Sequence, residues 1–271
     1  MVVFPNCKIN IGLNILSKRE DGYHNLQTIF FPAAIRDVLE IIENDGEEEV
    51  LFSSSGIHVP GKAENNLCIK AYHLLKKDFP RLPHVQMHLH KTIPMGAGLG
   101  GGSADGAFTL QLLNTKFSLQ LSEETLIKYA LQLGSDCPFF IINKPCFATG
   151  RGEILEPVAL DFSAYKIFII NPGIHISTSL AFSQNAVGEN KEDLQKLIAK
   201  PIENWKENIF NDFEKVVFAT YPEIAGIKNE LYKQGALFAS MSGSGSTVYG
   251  IFQKDPVIKM NFPAHYFQRW V

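Results

Sequence analysis

Strands and helices interleave along this chain, which predicts a protein of the α+β or α/β class. Apolar and polar residues alternate at positions 9–15 and again at 85–89, the period of a half-buried strand. Elsewhere apolar residues recur at helical spacing between recognisable start and stop residues. No internal repeat and no low-complexity linker separates the two element types.

The first strand runs through Ile9, Ile11, Leu13 and Ile15, with Asn10, Gly12, Asn14 and Leu16 on the opposite face, and gives way to a polar turn at 18–21. One wet face is expected there. Asn65-Asn66 precedes a helix expected over 67–77, ended by Pro80 and Pro83. Val85, Met87 and Leu89 then alternate with Gln86, His88 and His90 in a strand that leads into a glycine-rich stretch. Beyond it Ala104, Phe108 and Leu112 recur every four residues, a helix with Ser103 as its expected N-cap. Another helix opens at Ser122, carries Glu123 and Glu124 where the helix dipole favours anions, and stops at Gly134. A strand at 166–170 restarts the pattern near Glu156-Pro157. The domain boundary is placed there, giving domains at 1–156 and 157–271. The last part alternates helices around 192–198, 212–220 and 223–234 with strands at 236–240 and 247–252.

A length of 271 residues favours two packed domains, and 45% hydrophobic with 20% charged residues is enough for a stable core. The net charge of −3, without any long Lys/Arg block, argues against nucleic acid or an anionic membrane as partner. A small phosphorylated ligand needs only a few backbone N–H groups and one or two cations. Cys7, Cys68, Cys137 and Cys146 form no C-x-x-C pair, so no structural metal site is expected. The opening residues are too interrupted for a signal-peptide core, and no apolar run reaches membrane-spanning length. A cytoplasmic protein with reduced thiols is expected. His84, His88 and His90 share a strand face, but no acid or cysteine joins them at ligand spacing, so they read as surface histidines.

The stretch Pro94-Met95-Gly96-Ala97-Gly98-Leu99-Gly100-Gly101-Gly102-Ser103-Ala104 carries the chemistry. Backbone this rich in glycine turns sharply, takes positive φ and presents consecutive N–H groups at a helix start, where a phosphate is favoured by hydrogen bonds and dipole together. A tight connection alone needs only one or two glycines. Gly96, Gly98 and Gly101 formally match a dinucleotide fingerprint, but the preceding strand alternates and residues 116–121 hold no acid. No Gly-Lys-Ser/Thr follows, so the Walker-type loop fails as well.

The segment 94–107 resembles the phosphate loop of the galactokinase, homoserine kinase, mevalonate kinase and phosphomevalonate kinase superfamily, the GHMP kinases. Further matches lie at Lys8-Ile9-Asn10, Asp21-Gly22-Tyr23-His24, Gly134-Ser135-Asp136-Cys137-Pro138, Asn211-Asp212-Phe213-Glu214 and Met241-Ser242-Gly243-Ser244-Gly245-Ser246, in the family's order. One departure is Gly106, where the family usually has Ala. The resemblance implies a two-domain fold, an N-terminal domain like domain 2 of ribosomal protein S5 followed by a ferredoxin-like domain. It also implies an ATP-dependent kinase for a small cytidine-diphosphate alcohol, with Mg²⁺ neutralising the nucleotide phosphates and a monomer or weak homodimer as the assembly. Another GHMP kinase, of homoserine or mevalonate type, and a non-catalytic nucleotide-binding module are the alternatives; Asp21–His24 speaks against the first, Lys8 and Asp136 against the second.

Residue roles follow from the resemblance and compete with plainer local readings. Asp136, ahead of Pro138 in a first helical turn, reads locally as an N-cap; the resemblance implies the general base for the substrate hydroxyl. Lys8 reads as a snorkelling surface lysine; the resemblance implies the cation beside that base. Tyr23 and His24 read as turn residues after Asp21-Gly22, and Phe182 as a core aromatic. In the family Tyr23 and Phe182 would stack on cytosine, His24 would read its edge, and Asn10 would stand near the substrate. Asn66 and Lys91, with 94–104, match positions that bind ATP.

Overall fold

A computed structural model describes residues 1–59, 61–177, 192–255 and 259–271. The chain divides into two compact units of interleaved segments: Met1–Cys7, Ala34–Met95 and Gly100–Lys144 in one, Lys8–Ala33, Gly96–Leu99 and Pro145–Val271 in the other.

In the first unit, β1 (Val2–Val3), β4 (Val38–Glu43), β6 (Val85–Lys91) and β5 (Val50–Gly56) form a sheet in that order, antiparallel except for the β5–β6 pair. Helices α1 (Leu67–Asp78), α2 (Gly101–Lys116), α3 (Glu123–Leu133) and α4 (Cys137–Ile142) complete it. Asn66 starts α1 by accepting the Cys68 N–H at 2.9 Å, and Ser122 starts α3 in the same way from Thr125. Strand β6 buries Val85, Met87, Leu89 and Lys91 and leaves Gln86 and His90 exposed, the alternation expected. On its polar face His88 bonds Ser53 and Ser55, and His90 bonds Ser55, across the parallel pair.

In the second unit, β2 (Asn6–Lys18), β3 (His24–Arg36), β7 (Cys146–Thr149) and β8 (Ile154–Pro157) form one sheet. A second, antiparallel sheet runs in the order β10 (Phe238–Met241), β11 (Val248–Gln253), β9 (Tyr165–Asn171), β12 (Phe267–Trp270). Helix α5 (Leu194–Ile198) precedes α6 (Phe213–Thr220) and α7 (Pro222–Lys233), and the last two bury Phe213, Val217, Ile224, Ile227 and Leu231 against Phe168, Ile170, Met241 and Phe252.

Two local expectations change. Strand β2 has no wet face from Asn6 to Ile15: Lys8, Asn10 and Asn14 are buried along with the isoleucines, and polar partners meet Lys8 and Asn10 inside the protein. Helix α2 starts at Gly101 with Gly100 as its cap residue, so Ser103 sits in the first turn instead of capping it.

Candidate active site

Glycine at alternate positions shapes the loop. Gly96, Gly98 and Gly100 have φ of +61°, +77° and +67°, while Ala97 and Leu99 between them are buried. A Cβ on Gly98 would lie 2.0 Å from the Ser242 carbonyl oxygen, so the backbone there is pressed against a second glycine- and serine-rich loop. Ser242 Oγ donates to the Gly98 carbonyl at 2.8 Å, and Thr247 N donates to that of Ala97 at 3.3 Å. The second loop is held in turn by Asn211, whose Nδ2 donates to the Met241 and Gly243 carbonyls at 2.7 and 2.8 Å. Glu214 accepts from Met241 N at 2.8 Å and pairs with Lys228 at 2.6 Å. Asp212 accepts the Ile15 N–H at 2.7 Å, tying the start of α6 to β2. The Asn-Asp-Phe-Glu motif is thus a bracket for one half of the glycine loop and for the strand that bears Lys8.

Lys8 is 3% exposed and far from a snorkelling residue. Its Nζ donates to Asn10 Oδ1 at 2.5 Å and to the Gly98 carbonyl at 3.0 Å, lies 5.1 Å from the Phe30 ring centre, and its backbone N–H donates to Leu99 O at 2.9 Å. Asn10 is a buried hub: Nδ2 donates to Thr28 Oγ1 at 3.0 Å, and its backbone bonds Ser242 Oγ and the Tyr249 hydroxyl. A cation next to the glycine-loop carbonyls is the element that a phosphate site needs beyond N–H groups.

The other half of the loop belongs to the first unit. Gly100 leads into α2, whose first-turn N–H groups at 101–103 have no intrahelical acceptor. Gly101 packs on Ile93, where a Cβ would come within 2.8 Å of Cγ2, whereas a Cβ on Gly102 would meet only Met95 Cε at 3.8 Å. Among the described residues nothing crowds a Cβ at 102. Pro94 and Met95, half-buried, lead into the loop, and Ala104 is fully buried in α2. The Ser103 hydroxyl meets the Cys137 thiol, whose pKa burial pushes up to about 12, so that sulfur is no nucleophile.

Asp136 occupies the cap position of α4 with helical φ and ψ of −83° and −16°, and its side chain makes no capping hydrogen bond. Its carboxylate is therefore not spent on the helix start. Asn66 is half-buried at the start of α1. Lys91 is enclosed, its ammonium bonded to Asp37 Oδ2 and, at 2.7 Å, to Asp105 Oδ2.

At the β2–β3 turn Asp21 accepts the Tyr23 N–H at 3.1 Å and pairs with Arg19 at 3.0 Å. Tyr23 is left 57% exposed, with the Arg151 guanidinium 4.9 Å from its ring centre. Leu26 N donates to Gly150 O at 2.8 Å, which draws the β7–β8 turn bearing Arg151 beside it. His24 opens β3, half-buried. Phe182 lies outside the described residues. Sequence reading missed Arg151; the signal was Gly-Arg-Gly-Glu at 150–153, a charged residue on a turn with Gly150 at φ +70°.

Two family models match the sequence, GHMP kinases N terminal domain over residues 66–144 and GHMP kinases C terminal over 191–260. The chain belongs to the GHMP kinases and has the two-domain α+β fold of that family of phosphotransferases. Within it, the 4-diphosphocytidyl-2-C-methyl-D-erythritol kinase of Bacteroides fragilis is 51% identical over 97% of this chain and 97% of its own. That of Azobacteroides pseudotrichonymphae is 50% identical over 98% of this chain and 100% of its own. A crystal structure of 4-(cytidine 5'-diphospho)-2C-methyl-D-erythritol kinase matches with a TM-score of 0.79 at 29% identity, covering 92% of this chain and 89% of that one. A mevalonate kinase, at TM-score 0.72 and 14% identity over 94% and 92%, shares the fold.

Proposed function

We propose that this protein transfers the γ-phosphoryl group of ATP to the 2-hydroxyl of 4-diphosphocytidyl-2-C-methyl-D-erythritol, a step of the non-mevalonate (methylerythritol phosphate) route to isoprenoids. The observation that carries the proposal is identity of about half, along almost the whole chain, to relatives named for that kinase activity. The geometry of each part supports it.

In this scheme the glycine loop, residues 94–104, holds the nucleotide phosphates with its N–H groups, and Asn66 and Lys91 serve the nucleotide side, Lys91 through its two carboxylate partners. Asp136 accepts the proton of the substrate hydroxyl as the new P–O bond forms, and Lys8 offsets the charge on the transferring group. Such a transfer needs little early deprotonation, so positioning and electrostatics supply most of the rate. Tyr23 offers an exposed ring for cytosine and Arg151 a cation near the diphosphate, while His24, Asn10 and Phe182 complete the substrate side. Among the described residues no group of three or more His, Cys, Asp or Glu is placed to hold an ion. A Mg²⁺ carried largely by phosphate and water oxygens would neutralise nucleotide charge.

Partners are the two small molecules, and the assembly is a monomer or weak homodimer. No described helix is long and apolar enough to cross a membrane, and the proposed location is the cytoplasm. We assign the domains to 1–156 and 157–271. Incubation with ATP and the cytidine substrate should give ADP and a phosphomonoester on the 2-oxygen, read by phosphorus NMR. Phosphate on another oxygen, or none, would contradict the assignment.

A further inference from the structure

We propose that Asp37, Lys91 and Asp105 form a positioning cluster that sets the first turn of α2 at the height the nucleotide phosphates require. The proposal rests on the reading of that turn as part of the phosphate site. Lys91, the last residue of β6, lies fully buried between the Asp37 carboxylate, at the β3–β4 junction, and that of Asp105, one turn into α2. The other Asp37 oxygen accepts the N–H groups of Thr92 and Ile93 at 2.6 and 2.9 Å, which orients the segment entering the loop. Both parts meet under Gly101: a Cβ there would come within 2.8 Å of Ile93 and 3.4 Å of Lys91 Nζ. Three ionisable groups so enclosed fix, through one ammonium, the strand end, the loop entry and the helix that opens the site.

Stability alone does not account for the cluster, since buried ion triads are matched or surpassed by apolar residues of equal volume. Asp105 Oδ1, moreover, is buried with no hydrogen-bond donor among the described residues. Two carboxylates and one ammonium would also leave a net negative charge beneath a turn that receives phosphate. A proton on Asp105, shared toward Asp37, removes that charge. Burial is the largest cause favouring it, opposed by Lys91 and reinforced by Asp37, and together they bring the Asp105 carboxyl to about 7. The titratable groups that face Asp105 include Asp37, Lys91 and, from α1, Cys68, whose ionisation burial suppresses. Bound phosphate makes the proton easier to hold, so nucleotide affinity should fall as pH rises past about 7.

The test is the full kinase with Asp105→Leu, Asp105→Asn and Gly102→Val, measured for kcat and both KM values from pH 6 to 9, with melting temperature as a check on folding. Asp105→Leu, which leaves buried Lys91 with Asp37 as its one carboxylate partner, should melt below the native temperature yet fold, and raise KM for ATP about tenfold, with kcat and the cytidine-substrate KM little changed. Asp105→Asn, neutral and isosteric, should restore KM to within about threefold and remove the part of its pH dependence that native enzyme shows beyond the titration of ATP itself. If Asp105→Leu keeps native KM for ATP while Gly102→Val raises it, the phosphate loop stands and the positioning cluster falls. If neither variant moves KM for ATP, both readings fall. A variant too unstable to assay by melting, with Asp105→Asn retaining the native pH profile, also overturns the proposal.

Discussion

Strands β2 and β6 carry the same alternation of apolar and polar residues and handle it in opposite ways. In β6 the polar face is wet or shallow, and its histidines bond serines of the neighbouring strand near solvent. In β2 the polar residues Lys8, Asn10 and Asn14 are as buried as the isoleucines beside them. Burying Lys8 and Asn10 is costly unless each finds partners, and here the partners are loop backbone, a threonine, a serine and a tyrosine. The dry row is where the proposed chemistry is held; the wet row is an ordinary surface.

The sharpest way to break this contrast is to remove the charge from the dry row. Lys8→Met should lower kcat by about 10²–10³-fold with both substrates still bound, and Asp136→Asn by about 10²–10⁴-fold, measured by steady-state kinetics. Residues that serve one transition state are non-additive, so the double variant should be little worse than the worse single. Free energies that simply sum would mean separate roles, and full activity in Asp136→Asn would return that residue to the helix start.

A smaller effect is expected at Asn10, which supplies Lys8 with an acceptor. Asn10→Ala should destabilise the protein by about 1–3 kcal/mol in denaturant unfolding, because buried partners lose their bonds. A loss below about 0.5 kcal/mol would show that the dry row is less dependent on its partners than argued. At the exposed ring, Tyr23→Ala should raise KM for the cytidine substrate by the equivalent of about 1–3 kcal/mol and leave that for ATP nearly unchanged. A shift in ATP affinity instead would put Tyr23 at the other nucleotide.

The cluster at Lys91 predicts a pH effect on stability. The folded Asp105 carboxyl holds its proton up to about 7 against 3.8 for an ordinary aspartate, so the folded state binds more protons in that window. Stability should decline as pH rises from 3.8 to about 7, and Asp105→Asn should flatten the slope. The smallest effect belongs to the wet row: His88→Ala should change stability by about 0.5 kcal/mol or less and neither KM.

Helix positions were legible wherever caps and stops are local, as at Asn66, Ser122 and Gly134, and so was β6. Strand β2 was legible as a strand and not as a dry one, because alternation reports two faces without saying what covers each. The glycine loop announced itself by composition, yet only the structure separates the reasons for its glycines: positive φ at 96, 98 and 100, packing at 101, and neither among the described residues at 102. Asp37 and Asp105 gave no signal, since an Asp between two strands or within a helix reads as surface until its lysine is located. Interleaving of chain segments between the two compact units is likewise invisible to any local pattern.

The central claim is that this fold phosphorylates a cytidine-diphosphate alcohol and no other family substrate. Consumption of ATP measured side by side with 4-diphosphocytidyl-2-C-methyl-D-erythritol, homoserine and mevalonate tests it most directly. Turnover with the first alone is the predicted result; turnover with homoserine or mevalonate at a comparable kcat/KM, or with none of the three, would contradict it.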